Sequence, residues 1–552
     1  MTRSAAIARA VALALSGYYL VYSLVAPVIV TDAHLYDLAR LYLIRQGGLL
    51  HNTVFTFFTQ IAFPWTFDAI HWPFVCLGFG YALPSFGCLT GILIITFHNV
   101  REAEGVELAW VSVLALLALP TLVYQATSLK SDVAVVFGVF CWFDSLRRYR
   151  RAGRRFDLVI SALALAFGAG AKTSGVPITV GLGIASIWCL RNEWRRAVEW
   201  IGVAVLFAAL FASIETYVAA ELTFGNYLGP EGLRSLRNND GLAGAAANLV
   251  RHLAYNVDIG ADVLAGRKWM LSAAAERACR WMLAVTGLDT KGLVPGFDRP
   301  LDFFKAGHEA QDGFGPVGTV AMVMVPAVLA RGRVRHAPWQ LAAASVVALG
   351  IACQTIGFAL WVNRFLMLPF ALGTLATVLH LAPRWHRSST FRAGALVVLL
   401  YGACVLPMFS FARKPKDIWR SLVDRDAMTT REIPNKLPVL RAVRRLVAAC
   451  PSSFWLVTSA TTAPQFLFYD LLRDRDTFSR PVPVDAALLA RVQAEHPGRP
   501  IRVLAIDQRL FGNIPGLTEL ARFPGETPEE FDTQLFRYGQ DACGDPGHPT
   551  RP

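Results

Sequence analysis

Apolar runs of roughly 17 to 25 residues, long enough to cross the hydrocarbon layer as helix, recur through the first three quarters of the chain. About eleven stretches are candidates on that criterion, a few of them short: Ala5–Val30, Trp72–Phe97, Leu108–Gln125, Val133–Leu146, Leu158–Ala171, Val176–Leu190, Val198–Ala220, Val317–Ala330, Trp339–Phe358, Phe365–Leu381 and Ala393–Phe411. Ala5–Val30 follows Arg3 and Arg9 as a signal peptide would, yet it is too long for an ordinary leader and further spans follow, so it reads as a retained first helix. The polar segments between the runs set the orientation. With a cytoplasmic N-terminus, the Arg-rich stretches 147–155, 191–196, 331–336 and 383–392 share one side, and the short connections opposite hold only Lys130, Lys172 and Arg364 as basic residues. Positively charged loops stay inside, which predicts an N-in, C-out chain with an odd number of spans.

Three segments then lie outside the cytoplasm: a first loop, 31–71, a long loop, 221–316, and the tail, 412–552. In the long loop, Ala245–Leu264 and Leu271–Gly287 carry apolar residues at helical spacing together with several arginines, as helices lying on a membrane surface do. The tail has another rhythm. An amphipathic helix at Leu437–Ala449 leads to a strand-like stretch at 452–459, helices near Ala463–Leu472 and Val484–Gln493, and a strand at 501–507. Alternation of this kind predicts a small α/β domain, large enough to fold alone. The expected fold class is therefore a polytopic α-helical membrane protein, residues 1–411, with a soluble extracytoplasmic α/β domain, 412–552.

Composition sharpens this picture. Of the 552 residues 54% are apolar and only 17% charged, below the share of about a quarter in soluble domains. A net charge of +13 would suit a nucleic-acid partner, but the basic residues cluster between apolar runs rather than along one soluble face. The nine cysteines show no metal spacing, and most lie within apolar runs. Cys450 and Cys543 both fall in the tail, where they are either bridged or free thiols.

The chemically able residues gather at one membrane face. Asp32, His34, Asp37 and Arg40 follow the first span, and Lys130 and Asp132 separate the third from the fourth. Lys172 joins the fifth and sixth, Glu309 and Asp312 precede the eighth, and Arg364 opens the tenth. Taken singly, Asp32 and Asp132 read as solvated helix edges and the lysines as snorkelling anchors. His34 has no second histidine at ligand spacing. Arg364 is different: between Trp361 and Phe365 its desolvation needs an anion, and a phosphate fits its fork best. The aromatic cluster at 55–67 reads as an interfacial or re-entrant segment.

Four short patterns carry a resemblance. Asp32, Tyr36, Leu38 and Arg40 fill a D-x3-Y-x-L-x-R pattern in the first loop; QATSLKSDVAVVF (125–137) opens a helix with an Asp; FGAGAKTSGVPI (167–178) joins two spans; and NRFLMLPF (363–370) is led by an arginine. In this order they resemble the GT-C membrane glycosyltransferases, in the branch of protein O-mannosyltransferases and bacterial lipid A aminoarabinose transferases. The resemblance covers roughly residues 1–410. There are departures: Asp37 stands where many relatives have His, and the first loop has one Asp rather than an Asp-Glu pair.

The resemblance implies transfer of a sugar from a polyprenyl-phosphate carrier to a glycan, lipid or protein acceptor outside the cytoplasm, with inversion at the anomeric carbon. It implies a bacterial inner membrane with the site facing the periplasm. An acceptor hydroxyl needs a carboxylate to take its proton, and Asp32 is the candidate. The leaving phosphate needs fixed cations, a role that suits Arg364, Lys172 and Lys130. Asp132 would orient the acceptor or hold a cation; His34, Tyr36, Arg40, Glu309 and Asp312 would bind substrate. The residues require no metal, although some relatives use one. The rival reading, a transporter or flippase of a lipid-linked or anionic substrate, predicts charges at the midplane and internal repeats, neither of which the chain displays. A membrane anchor presenting the tail as a binding module would leave the first-loop and Arg364 charges unexplained.

Overall fold

The computed structural model describes residues 2–29, 33–38, 40–41, 63–227, 229–231, 235–294, 302–304, 313–334, 336–405, 413–431, 434–459, 477–480, 484–506, 514–523 and 533–539. They form two compact units, one of residues 1–25, 63–71 and 81–418, the other of 26–62, 72–80 and 419–552.

The first unit is helical. In chain order it contains α1 (Arg3–Val25), α2 (Leu83–Glu104), α3 (Val106–Leu117), α4 (Pro120–Ala126), α5 (Asp132–Ala152), α6 (Arg155–Ala171), α7 (Gly175–Cys189), α8 (Trp194–Phe211) and α9 (Ile214–Phe224). Two loop helices follow, α10 (Gly241–Tyr255) and α11 (Met270–Thr286), and then α12 (Gly315–Arg331), α13 (Ala337–Thr355), α14 (Met367–His380) and α15 (Ser389–Leu400). Its core runs through α3, the first turns of α5 and α14, where Leu114, Ala115, Val133, Ala134 and Ala371 are inaccessible to solvent. The outer faces are apolar too. Val180, Ile184 and Trp188 on α7 and Val205, Leu206 and Leu210 on α8 are each more than half exposed, a surface that suits lipid rather than water.

Among the described residues four helical stretches are long and apolar enough to cross a bilayer: α1, α2, α13 and Leu360–His380. Counting each of two bent pairs as one span makes six, and three shorter apolar helices accompany them. The chain is thus polytopic and helical, and the count of eleven goes beyond what these lengths require. The differences have local causes. The run Leu108–Gln125 is split into α3 and α4, bent by 76°, because Pro120 has no N–H for the helix and holds Leu119 extended. The run Val198–Ala220 bends by 56° at Ser213, whose φ of +53° is left-handed; its hydroxyl accepts hydrogen bonds from the Trp65 and Thr66 amides, both at 3.1 Å. Trp72–Phe97 is divided where Gly78 and Gly80 take φ of +76° and +70°. In the long loop, Ala245–Leu264 is interrupted after Tyr255, and Leu271–Gly287 corresponds to α11.

The second unit holds α16 (Leu437–Ala449), β1 (Phe454–Ser459), β2 (Thr477–Arg480), α17 (Ala486–Glu495), β3 (Ile501–Ile506), β4 (Leu517–Phe523) and β5 (Thr533–Tyr538). The sheet order is β2-β1-β3-β5-β4. β2, β1 and β3 are parallel, and β5 and β4 join antiparallel. Both faces are covered, which is why β1 and β3 read as continuous apolar runs. Val439, Leu440 and Val443 of α16 pack with Trp455, Val457 and Leu504 on one face. Leu488, Leu489 and Val492 of α17 pack with Leu456 and Val503 on the other. Strands β2, β4 and β5 escape a sequence reading because each is short or carries charges. Cys450 is disulfide-bonded, and its partner falls outside the described residues. The helix expected near Ala463–Leu472 also falls outside them.

Candidate functional site

Three elements of the helical unit bring Asp132, Lys172 and Arg364 together. Asp132 is the first residue of α5, where a carboxylate meets the positive end of the helix dipole. Lys172 caps the end of α6 in an extended conformation, φ −160° and ψ 144°. These two helix ends approach closely because glycine lines their contact. A Cβ on Gly138 of α5 would sit 2.8 Å from the Ala164 carbonyl oxygen, and one on Gly175 at the start of α7 would sit 2.4 Å from that of Gly168. Small residues at helix interfaces in membranes permit this approach. The consequence is a buried ion pair, Lys172 Nζ to Asp132 Oδ1 at 2.6 Å. Lys172 lies in a connection between helices. Burial lowers its pKa, and the Asp132 carboxylate opposes that shift.

Arg364 arrives from a 3-10 turn, Leu360–Leu366, that leads into α14. It is 5% exposed, and its guanidinium lies 5.3 Å from the centroid of the Phe365 ring and 5.7 Å from that of Trp361. Lys172 Nζ lies 4.6 Å from the same Phe365 ring. One aromatic ring therefore serves both cations, an arrangement that offsets part of their desolvation. Lys130 is 1% exposed, and its carbonyl accepts a hydrogen bond from Ser85 Oγ at 2.8 Å. Together with Lys172 and Arg364 it acts electrostatically on Asp132.

Asp132, Arg364 and Phe365 line one pocket of about 30 Å³, walled by Val135, Val136, Ile178, Ile351 and Leu368. That volume holds a water or two, not a sugar ring. The pocket lining is mostly apolar, with Asp132, Ser174, Thr355 and Arg364 as the polar residues. Asp132 Oδ2 accepts no hydrogen bond among the described residues, so one carboxylate oxygen is held by Lys172 and the other is open to a donor. The described His, Cys, Asp and Glu residues form no group able to hold a metal ion.

The remaining sequence candidates are distributed differently. Asp32, Glu309 and Asp312 lie outside the described residues. His34 and Tyr36 belong to a π-helical turn, Ala33–Leu38, and their side chains are outside the description. Arg40, 2% exposed, belongs to the second compact unit with Asp37. Sequence reasoning missed Arg413. It lies just past the last apolar run, and donates from Nε to Thr127 Oγ1 and from Nη2 to the Tyr124 carbonyl, both at 2.8 Å. It thereby fixes the segment leading to Lys130. A basic residue immediately after an apolar run was the available signal.

No family model matches the chain, and no curated protein matches it in sequence. Its likeness is to solved structures. The crystal structure of ArnT from Cupriavidus metallidurans bound to undecaprenyl phosphate aligns with a TM-score of 0.52 at 12% identity, covering 98% of this chain and 99% of that one. The apo state of the same protein aligns with a TM-score of 0.41 at 13% identity, covering 96% and 97%. At 12% identity the first of these speaks for the fold alone. The chain shares the fold of ArnT, in keeping with the resemblance that its four motifs carry.

Proposed function

We propose that the protein is an inverting glycosyltransferase that moves a sugar from a polyprenyl-phosphate carrier to an acceptor hydroxyl on the non-cytoplasmic face of a bacterial inner membrane. The observation that carries this reading is a largely apolar pocket lined by Asp132 and Arg364, with Lys172 paired to Asp132. Lys172 and Arg364 are suited to the phosphate that departs when its oxygen takes the electron pair of the bond to the anomeric carbon. Preorganised cations cost no rearrangement as that charge grows, and the surrounding apolar side chains strengthen their effect. The structure of ArnT with undecaprenyl phosphate is consistent with a lipid-phosphate ligand on this fold.

The acceptor oxygen attacks the anomeric carbon while its proton passes to a carboxylate. On its sequence pattern Asp32 takes that role. Asp132, with one oxygen held by Lys172 and the other open, orients the acceptor hydroxyl instead. Lys130 adds positive charge near Asp132; Arg40, His34, Tyr36, Glu309 and Asp312 complete the substrate contacts. The soluble tail lies on the same, extracytoplasmic side, and the sugar is a hexose or pentose unit.

The test is turnover by purified full-length protein supplied with undecaprenyl-phosphate-linked sugars. Asp32→Asn is expected to lower kcat by about 100-fold or more, the usual share of a general base, with donor affinity retained. Undiminished kcat in this variant would remove Asp32 from the mechanism. Absence of any transfer together with transmembrane movement of the lipid would replace the enzyme reading.

A further inference from the structure

The segment that leads into the 3-10 turn carrying Arg364 is pinned from the long loop. This segment, 356–359, is extended and held on both sides. The Gly357 amide donates to the Leu236 carbonyl at 2.9 Å; the Phe358 amide donates to Gly292 at 2.6 Å, and the Val294 amide returns to Phe358 at 3.2 Å. One face of α10 reinforces this strap. Asn248 Nδ2 donates to the carbonyls of Cys353 and Ile356 at 3.1 and 3.0 Å. One turn on, Arg251 grips the carbonyls of Leu288, Asp289 and Lys291. His252 packs its ring on Phe358 with centroids 4.9 Å apart.

The row ends in a reciprocal amide pair. Asn256 Nδ2 donates to Asn363 Oδ1 at 2.7 Å, and Asn363 Nδ2 donates back to Asn256 Oδ1 at 3.2 Å. Both residues are at most 1% exposed. Asn256 Nδ2 also donates to the His252 carbonyl at 2.9 Å, which ties the pair to the helix. An apolar pair would fill the same space without choosing an orientation. With the His252 carbonyl fixing which end of Asn256 donates, the two amides have a single satisfied arrangement, and leaving either half buried and unpaired is costly. Asn363 precedes Arg364 directly.

Resting on the reading that Arg364 meets the carrier phosphate, we infer that Asn256 and Asn363 are positioning residues that set the guanidinium of Arg364 against the lipid phosphate. They touch no substrate; they act through Arg364. The described part of the long loop thereby serves the site as a brace. A displacement of about 1 Å at a site group can cost up to about 100-fold, so a brace on this residue has a measurable output.

The test uses the full chain in lipid nanodiscs and undecaprenyl phosphate, without sugar, as the probe. Asn256→Ala and Asn363→Ala are each expected to weaken binding by about tenfold, the scale of one lost buried hydrogen bond. The double variant should lose no more than either single one. In an Arg364→Ala background, Asn256→Ala should change affinity no further. Lys268→Ala is the control: it releases the Glu276 and Asp302 contacts at 2.8 and 2.7 Å elsewhere in the loop, and should lower thermal stability while affinity stands. An equal loss from Asn256→Ala with and without Arg364 overturns the inference, as does an equal loss from Lys268→Ala. Should the parent protein bind and Arg364→Ala bind weakly while both asparagine variants keep full affinity, only the positioning role falls. Should the parent protein fail to bind, or Arg364→Ala keep full affinity, the proposed function of Arg364 falls and takes the inference with it.

Discussion

The two halves of the pocket are built by opposite means. On the Asp132–Lys172 side the backbone does the work: glycines let α5, α6 and α7 approach until only one placement of the ion pair remains. On the Arg364 side the backbone is an extended strap, and besides its own buried side chains, amides from a helix more than a hundred residues away hold it. A glycine contact is rigid and intolerant of any substitution. An amide pair can be weakened in steps, so the Arg364 side is the one that evolution or an experimenter can tune.

The largest effect should come from breaking the ion pair. Asp132→Asn leaves Lys172 buried without its carboxylate, 9% exposed at the side chain, and should cost about 3 to 5 kcal/mol of stability. Adding Lys172→Met removes the stranded cation and should recover most of the melting temperature but none of the transfer activity. Thermal unfolding in one detergent measures both. A loss below about 1 kcal/mol for the single variant would mean that water reaches the pair and that this half is no more rigid than the other.

How much of this was legible in the sequence follows the same division. The Asp132–Lys172 side was legible in its charges but not in its glycine contacts: FGAGAKTSG places one lysine between two spans, and an Asp opening a span after a short polar connection is a local feature. Arg364 was legible from its aromatic flanks. Its support was not, because Asn256 and Asn363 are 107 residues apart and neither looks unusual in its own segment. The breaks at Pro120 and Ser213 were hidden for a related reason. Hydropathy counts apolar residues and is blind to φ, and Ser213 adopts its left-handed turn only because the amides of Trp65 and Thr66 bond to it. In the tail, β1, β3, α16 and α17 were readable from their apolar periodicity, whereas β2, β4 and β5 depend on pairing partners distant in sequence.

A smaller effect should follow from overfilling the glycine contact. A Cβ on Gly175 would come 2.4 Å from the Gly168 carbonyl oxygen, a backbone atom that cannot swing aside. Gly175→Ala should therefore cost about 1 to 3 kcal/mol and lengthen the Lys172–Asp132 contact, reducing turnover more than donor affinity. Gly181→Ala, with nothing within 4 Å of its Cβ in the same helix, should be neutral or slightly stabilising through helix propensity. Equal effects from the two would show that the close approach at Gly175 is not what positions the pair.

The smallest effect tests where the two halves meet. Phe365 offers its ring to Lys172 at 4.6 Å and to Arg364 at 5.3 Å, so it couples a glycine-fixed cation to an amide-fixed one. Phe365→Leu keeps an apolar side chain but removes the π-face, and each partly desolvated contact is worth about 0.5 to 2 kcal/mol. Undecaprenyl phosphate affinity should fall about three- to tenfold, while Phe365→Tyr, which retains the ring, should stay within about twofold of the parent protein. The decisive measurement is made in the Asn256→Ala background. Once the brace is gone, Arg364 relies more on the ring, and Phe365→Leu should then cost more than it does alone. A strictly additive loss would mean that the ring merely stabilises both cations and that the two halves are set independently of one another.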